Sequence, residues 1–274
     1  MTIKMIALDI DDTLLDSKGK ILPSTITAIH EALARDIKIV LCTGRPLAGV
    51  AHFLKELGVT GDDQYVVTYN GAVIESVSGH VLVKHLLNKA TYERLTQYAA
   101  EHHIPFNVLD ENSTIYTADR DIDFITVVQA MENSAGIFVR TPAEMPADFE
   151  IAKGLFVGTE EQLDAVESTV MAEFSDAYYV VRAGRNFLEV MDSKVDKGKA
   201  LAELAQKLGM TADEVMAVGD EGNDLPMFEF AGTAVVMGNG SEVAKAHADY
   251  VTGTNDEGGL ADAIRKFALT PVEN

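Results

Sequence analysis

Short apolar runs alternate with amphipathic segments in the first part of the chain. Residues 3–8 and 37–42 are mostly apolar and of strand length, which is typical of strands buried on both faces of a sheet. Between them, Ile26, Ile29 and Leu33 fall on one face of a predicted helix. This order of strand and helix predicts a parallel sheet with right-handed crossovers.

The same alternation returns near the end of the chain. Further buried strands are predicted at residues 215–218, 233–237 and 250–252. In the first part, Asn70 and Gly71 stand between two strand-like runs and predict a two-residue β-hairpin turn.

The middle of the chain has a different character. From about residue 84 to 188, amphipathic helical segments at 92–102 and 161–174 mix with short strand-like pieces. We therefore predict an α/β fold with a Rossmann-like parallel-sheet core and an inserted α+β cap domain. The core would comprise residues 1–83 and 189–274, and the cap residues 84–188.

Composition narrows the class of protein. The 274 residues include 22 Lys and Arg against 43 Asp and Glu, a formal net charge of -21 that repels nucleic acid and anionic lipid. The sequence has neither an apolar stretch of about 18 residues nor the apolar run of a secretory signal at its start. The single cysteine, Cys42, excludes an intrachain disulfide. We expect a cytoplasmic protein with a small-molecule partner; its oligomeric state is not indicated.

Acidic side chains follow two of the predicted strands. Asp9 and Asp11 end the first, and Asp220, Asn223 and Asp224 follow the strand at 215–218. The carboxyl ends of parallel strands meet at one edge, so these groups are expected to converge. Acids so close repel one another unless a hard cation such as Mg²⁺ binds them. Short acids after a strand also cap helices, but two such sets favour the metal site.

Groups suited to phosphate follow another strand and open a helix. Thr43 and Gly44 place a hydroxyl and backbone N–H groups before a helix N-terminus, although Thr-Gly also makes ordinary turns. Arg45 could bind phosphate or neutralise nearby acids. Lys197 stands at a predicted helix start, where the helix dipole disfavours a cation, so the sequence leaves open both an interior partner and an ordinary solvated side chain.

Taken together, these residues resemble the haloacid dehalogenase superfamily of phosphatases, and within it the Cof-type sugar-phosphate phosphatases. The resemblance covers essentially the whole chain, although Asp12 stands where many relatives carry Gly. The four motifs occur in the family's order, as Asp9-Ile10-Asp11-Asp12-Thr13-Leu14-Leu15, Thr43-Gly44-Arg45, Asp196-Lys197-Gly198 and Gly219-Asp220-Glu221-Gly222-Asn223-Asp224.

The resemblance implies an Mg²⁺-dependent phosphatase that works through an aspartyl-phosphate. Asp9 would be the nucleophile, and Asp11 would protonate the leaving alkoxide and then deprotonate the attacking water. The metal would be held by Asp9, Asp220 and the backbone carbonyl of Asp11. Asp224 would orient Lys197 or a metal-bound water rather than bind the metal directly.

The resemblance also implies contacts with the substrate. The groups expected to hold the phosphoryl oxygens are Thr43, Gly44, Lys197 and Asn223. The groups expected to contact the rest of the substrate are Arg45, Asn70 and, in the cap, Arg185. Cap side chains would choose the leaving group, and the sequence does not identify it.

Three alternatives remain at this stage. A phosphomutase of the same superfamily would pass the phosphoryl group to a sugar instead of water. A signalling receiver would keep phosphate on Asp9 as a switch, although receivers are usually small single domains. A non-catalytic binding module is disfavoured because all four motifs are intact.

Overall fold

The computed structural model describes residues 2–270, and within them the chain forms sixteen strands and nine α-helices. The strands are β1 (Met5–Leu8), β2 (Lys38–Cys42), β3 (Tyr65–Thr68), β4 (Val73–Ser76), β5 (Val81–Lys84), β6 (Leu87–Asn88), β7 (Phe106–Leu109), β8 (Ile115–Thr117), β9 (Ile137–Val139), β10 (Glu150–Ile151), β11 (Lys153–Val157), β12 (Tyr178–Arg182), β13 (Phe187–Asp192), β14 (Val215–Gly219), β15 (Thr233–Val236) and β16 (Tyr250–Val251). The helices are α1 (Pro23–Leu33), α2 (Leu47–Glu56), α3 (Lys89–His102), α4 (Phe124–Glu132), α5 (Glu160–Phe174), α6 (Lys197–Lys207), α7 (Leu225–Phe230), α8 (Glu242–Lys245) and α9 (Gly259–Ile264). Among these described helices, each is too short or too polar to cross a bilayer.

The larger sheet has the strand order β16-β15-β14-β1-β2-β3-β4-β5. Strand β1 pairs in parallel with β14 on one side and with β2 on the other, so Met5 lies opposite both Val215 and Lys38. The pairs β2–β3, β14–β15 and β15–β16 are parallel as well. The predicted α/β fold with a Rossmann-like parallel-sheet core is confirmed.

The apolar runs explain why these strands lie in the middle of the sheet. Every residue of β1 and of β14 is buried, because helices cover both faces of a parallel sheet. The strands predicted at residues 3–8, 37–42 and 215–218 are confirmed as β1, β2 and β14, and those predicted nearer the end of the chain are confirmed as β15 and β16.

The hairpin between β3 and β4 differs from the prediction. The two strands are antiparallel, but their connection spans residues 69–72 instead of two residues. The backbone N–H of Asn70 donates to the Thr43 carbonyl (2.8 Å), and a Cβ on Gly71 would lie 2.5 Å from the Asp196 carbonyl oxygen. Contacts with distant segments, rather than the local turn preference, therefore set the shape of this connection.

The chain divides into two compact units. The first contains residues 2–43, 51–82 and 196–270, and the second contains Gly44–Val50 and Val83–Val195. Strand β13 belongs to the second unit. The division into core and cap at residues 83/84 and 188/189 stays a prediction.

The second unit is built on its own six-stranded sheet, in the order β12-β13-β11-β7-β8-β9. Side chains from α3 and α5 join those of β7, β11 and β13 in one buried apolar cluster, which includes Tyr92, Phe106, Phe156 and Phe174. The helices predicted at 92–102 and 161–174 are confirmed as parts of α3 and α5. The unit is thus the α+β arrangement that the sequence predicted.

Helix α6 approaches α7 very closely, and Gly198 makes this possible. A Cβ at Gly198 would lie 2.1 Å from the Pro226 carbonyl oxygen, a backbone atom that a side-chain rotation cannot move. We expect Gly198→Ala to lower the free energy of unfolding by about 1–3 kcal/mol, the usual range for overpacking. Denaturant unfolding of the two proteins measures the difference.

Gly222→Ala is the matched control, because nothing lies within 4 Å of a Cβ at Gly222. Its unfolding free energy should stay within about 0.5 kcal/mol of the parent. Equal stability of the Gly198→Ala protein and the parent would contradict the close packing of α6 on α7.

Candidate active site

The predicted acids and Thr43 lie at the carboxyl edge of the larger sheet. Asp9, Thr43 and Asp220 directly follow β1, β2 and β14, which are neighbours in the sheet. All three side chains are buried. The backbone N–H of Asp9 donates to Val218 (3.0 Å), and that of Thr43 donates to Val67 (2.9 Å). Asp9 and Thr43 are therefore each held by one more hydrogen bond of the sheet.

Three carboxylates meet there. One carboxylate oxygen from each of Asp9, Asp220 and Asp224 lies within 4.8 Å of the other two. Oxygens that share one Mg²⁺ sit about 2.0–2.1 Å from the ion, so they stand up to about 4 Å apart. The buried, all-oxygen set is chemically suited to a hard divalent cation, and the 4.8 Å limit on the separations includes the distances that a shared ion requires.

Lys197 lies inside this cluster. It is the first residue of α6, whose N-terminus is capped by the Asp196 carboxylate accepting from the backbone N–H of Lys199 (2.6 Å). Its Nζ donates to Asp9 Oδ1 (2.5 Å) and to Asp224 Oδ1 (2.7 Å), and the residue is 1% exposed. Of the two environments left open for this lysine, the structure shows the interior one. Burial opposes the charge of Lys197, but the two aspartates outweigh it and raise its pKa.

Both carboxylate oxygens of Asp224 accept hydrogen bonds from neighbouring groups of the site. Its Oδ1 accepts from Lys197, and its Oδ2 accepts from the backbone N–H groups of Asp220 (2.9 Å) and Glu221 (3.2 Å). A Cβ on Gly219 would lie 2.5 Å from Asp224 Oδ2, so the close approach requires glycine there. Since both oxygens are already engaged, the geometry favours an orienting role for Asp224 over direct metal binding.

The cluster holds protons more tightly than free carboxylates do. Burial is the largest cause and raises the pKa of Asp9 to about 7, with Lys197 opposing the shift. Burial, together with the charges of Asp9 and Asp224, raises the pKa of Asp220 to about 9. A bound cation favours the carboxylate forms, so metal binding and proton release are coupled at this site.

The loop after Asp9 carries the second predicted catalytic carboxyl. Asp11 is exposed, and its charge contributes to the raised pKa of Asp9, so the two act on each other. Asp12 has φ 58°, in the left-handed region that favours glycine. The hydroxyl of Thr13 donates to Asp220 Oδ1 (3.2 Å). The loop is therefore tied to the acid that follows β14.

The other predicted residues have diverse environments. In the first unit, Asn70 is buried with φ 55°, and Asn223 is half-buried in the short turn Gly222–Asp224. In the second unit, Gly44 and Arg45 are half-buried, and Arg185 is exposed in the turn between β12 and β13. Their roles in binding stay predictions.

Three polar contacts were not predicted from the sequence. In the second unit, buried Lys153 pairs with buried Glu189 (Nζ to Oε1, 2.5 Å) and donates to the Gly44 carbonyl (2.9 Å). In the first unit, the side chain of Asn239 donates to the Asp12 carbonyl (2.8 Å). Glu189 lies within an apolar strand run and Asn239 within a turn, so neither belongs to a local motif that predicts its partner.

Comparison with known proteins gives consistent results. The profile of the haloacid dehalogenase-like hydrolases matches residues 6–264. The Bacillus subtilis protein "Putative phosphatase YxeH" is 36% identical over 97% of this chain and 98% of its own length. A haloacid dehalogenase-like hydrolase from Bacteroides thetaiotaomicron is 32% identical, with a TM-score of 0.84 over 97% of this chain and 99% of that one. The subclass IIB sugar phosphatase BT4131 is 26% identical, with a TM-score of 0.81 over 97% and 100%.

The raised pKa values predict how stability changes with pH. In the metal-free folded protein, the Asp220 carboxyl keeps its proton up to a pH of about 9. In the unfolded chain the pKa of this carboxyl is 3.8, so the proton has already been lost at neutral pH. Stability from this group is therefore lost as pH rises toward about 9. We expect added Mg²⁺ to raise the Tm more at pH 8.5 than at pH 6, measured by calorimetry at constant ionic strength.

Asp220→Asn should flatten both the pH dependence and the effect of Mg²⁺, because it removes the titrating ligand. Asp176→Asn, a change at an exposed aspartate, should leave them as in the parent. An Mg²⁺ effect of the same size in the Asp220→Asn protein would argue against Asp220 as a ligand.

Proposed function

This chain belongs to the haloacid dehalogenase-like hydrolase family as a Cof-type phosphatase, and we propose that it is an Mg²⁺-dependent enzyme that acts on small phosphorylated metabolites, chiefly sugar phosphates. In this proposal it works in the cytoplasm through an aspartyl-phosphate intermediate.

One observation carries the proposal. The Asp9 carboxylate lies at the carboxyl end of the central strand, in contact with a buried ammonium and near a second carboxylate that can share a cation with it. Unaided hydrolysis of a phosphate monoester is extremely slow, so an enzyme must place a nucleophile, positive charge and an acid at one point. The cluster supports the first two, and the loop after Asp9 supplies the acid.

Asp9 is the proposed nucleophile. Lys197 Nζ, 2.5 Å from Asp9 Oδ1, stabilises the carboxylate and opposes the effect of burial on its pKa. The other oxygen of Asp9 would attack phosphorus and form the acyl phosphate, releasing the alcohol. Because the lysine is held by Asp224 as well, it keeps its position while charge shifts to the phosphoryl oxygens.

Asp11 is the proposed acid and base. It is exposed, unlike buried Asp9, and two carboxyls in such different environments can take different roles. Asp11 would give a proton to the leaving alkoxide and later remove one from the water that cleaves the acyl phosphate. This step matters most for poor leaving groups.

Mg²⁺, held by Asp9, Asp220 and the backbone carbonyl of Asp11, would offset the repulsion between the nucleophile and the phosphoryl oxygens. The phosphoryl oxygens would be held by Thr43, Gly44, Lys197 and Asn223. Arg45, Asn70 and Arg185 are the proposed contacts with the remainder of the substrate. Support for a sugar phosphate comes from the similarity to BT4131, which is named as a sugar phosphatase.

The nucleophile is tested by Asp9→Asn. The amide cannot form the acyl phosphate, so we expect phosphate release from a panel of sugar phosphates with Mg²⁺ to fall by about 10³-fold or more. Circular dichroism checks that the variant is folded, and Asp176→Asn serves as an active control. Retained turnover in the folded Asp9→Asn protein would remove Asp9 from this role.

The acid is tested by Asp11→Asn with two leaving groups. On a hexose 6-phosphate, whose alkoxide needs a proton, kcat should fall by about 10²-fold or more. On p-nitrophenyl phosphate the loss should be much smaller, because a phenolate leaves without protonation. An equal loss on both substrates would contradict the acid role of Asp11.

A further inference from the structure

Three neighbouring loops meet above the carboxyl edge of the larger sheet. They follow β1, β14 and β15, and β14 lies between the other two strands. The loops after β1 and β14 carry the acids, whereas the loop after β15, residues 237–241, has no role in the proposed chemistry. Strands two positions apart in a sheet are separated by about 9.6 Å, so a contact between the outer loops must pass over the middle one.

Asn239 makes that contact. Its Nδ2 donates to the Asp12 carbonyl (2.8 Å), and its Oδ1 accepts from the backbone N–H of Asn255 (2.9 Å). Since both ends of the amide have partners, its orientation is defined. The side chain thus holds the loop after β1 to a segment fixed elsewhere in the first unit.

The loop after β15 also contacts Asp220, the first residue after β14. The backbone N–H of Ser241 donates to the Asp220 carbonyl (2.9 Å). A Cβ on Gly240 would lie 2.9 Å from that same oxygen, so the loop passes directly against the backbone of Asp220. One short turn therefore contacts both acid-bearing loops.

A third hydrogen bond joins the loop after β1 directly to the loop after β14. The peptide that carries the Asp12 carbonyl continues into Thr13, whose hydroxyl donates to Asp220 Oδ1 (3.2 Å). The three contacts, Ser241 to Asp220, Asn239 to Asp12 and Thr13 to Asp220, form a ring through the three loops. A closed ring restrains the spacing of the loops more than separate contacts do, because no member moves without the others.

We propose that Asn239 is a positioning residue that holds Asp12 in its left-handed conformation and so sets the place of the Asp11 carboxyl. Asp12 has φ 58°, which is unfavourable for a residue with a side chain. The donor from Asn239 offsets that cost by holding the carbonyl of this residue. Without it the backbone at Asp12 relaxes, and Asp11, the residue before it, changes direction. The inference rests on the proposed function, in which Asp11 is the acid.

The test compares Asn239→Ala and Asn239→Asp with the parent, using the full chain with saturating Mg²⁺. Asn239→Asp keeps the acceptor for Asn255, replaces the donor to Asp12 with a carboxylate oxygen and adds a negative charge, whereas Asn239→Ala removes the donor without adding charge. In both variants we expect kcat on a hexose 6-phosphate to fall about 3- to 10-fold, the loss of one hydrogen bond. On p-nitrophenyl phosphate kcat should change less than about 2-fold, with KM nearly constant on both substrates.

A second readout does not depend on activity. In the metal-free protein, amide hydrogen exchange in residues 10–15 should be faster in both variants than in the parent. Glu242→Ala is the control, because this side chain is exposed and pairs with Lys245 in its own short helix (3.1 Å). It should leave the exchange and both kcat values as in the parent.

The outcomes separate the alternatives. An equal fall of kcat on both substrates, or a fall that follows a lower Tm, would show a merely structural role and overturn the inference. Full activity of Asn239→Asp would show that the donor does not matter, with the same consequence. A parent chain inactive on every phosphate ester would refute the proposed function itself, while unchanged exchange in an active enzyme would refute the inference alone.

Discussion

A single buried ammonium holds the site together. Lys197 contacts two carboxylates, those of Asp9 and Asp224, from a position with almost no access to water. Removing one partner of a buried ion pair leaves an uncompensated charge and is strongly destabilising. The two carboxylates and the lysine therefore depend on one another for their buried positions. The position of this lysine also depends on helix packing, because Lys197 is the first residue of α6. Helix α6 can lie this close to Pro226 because Gly198 has no side chain.

Strand order explains how residues from opposite ends of the chain reach this ammonium. Strand β1 lies between β2, from the same part of the chain, and β14, from near its end. Such a point is where open α/β sheets form their ligand crevice, because the crossovers on the two sides lead away from it. Asp9 and Asp220 become neighbours there by topology, and the Thr13 hydroxyl links the loop after Asp9 to Asp220 by a hydrogen bond.

The sequence predicts those features of the site that follow from a pattern of neighbouring residues. Strands buried on both faces must be apolar throughout, so β1, β2 and β14 were visible as runs, and the acids and Thr43 at their ends followed. Contacts between loops leave no such pattern. The four-residue connection at residues 69–72 depends on Asn70 meeting Thr43, and the partners of Glu189 and Asn239 lie far away in sequence. Strand β13 has an apolar run too, but that run does not show which sheet the strand joins.

The charges on the chain and in the site also affect how a phosphate ester could bind. The chain has a formal net charge of -21, which repels a phosphate ester at long range, yet at physiological ionic strength this repulsion is screened beyond about 8 Å. Within that distance the local charges decide. A cation that replaces the protons of Asp9 and Asp220 leaves the cluster near neutrality, because three carboxylates and one ammonium together carry two negative charges. In the proposed function, the bound cation thus offsets the repulsion that three ionised carboxylates would exert on a phosphate ester.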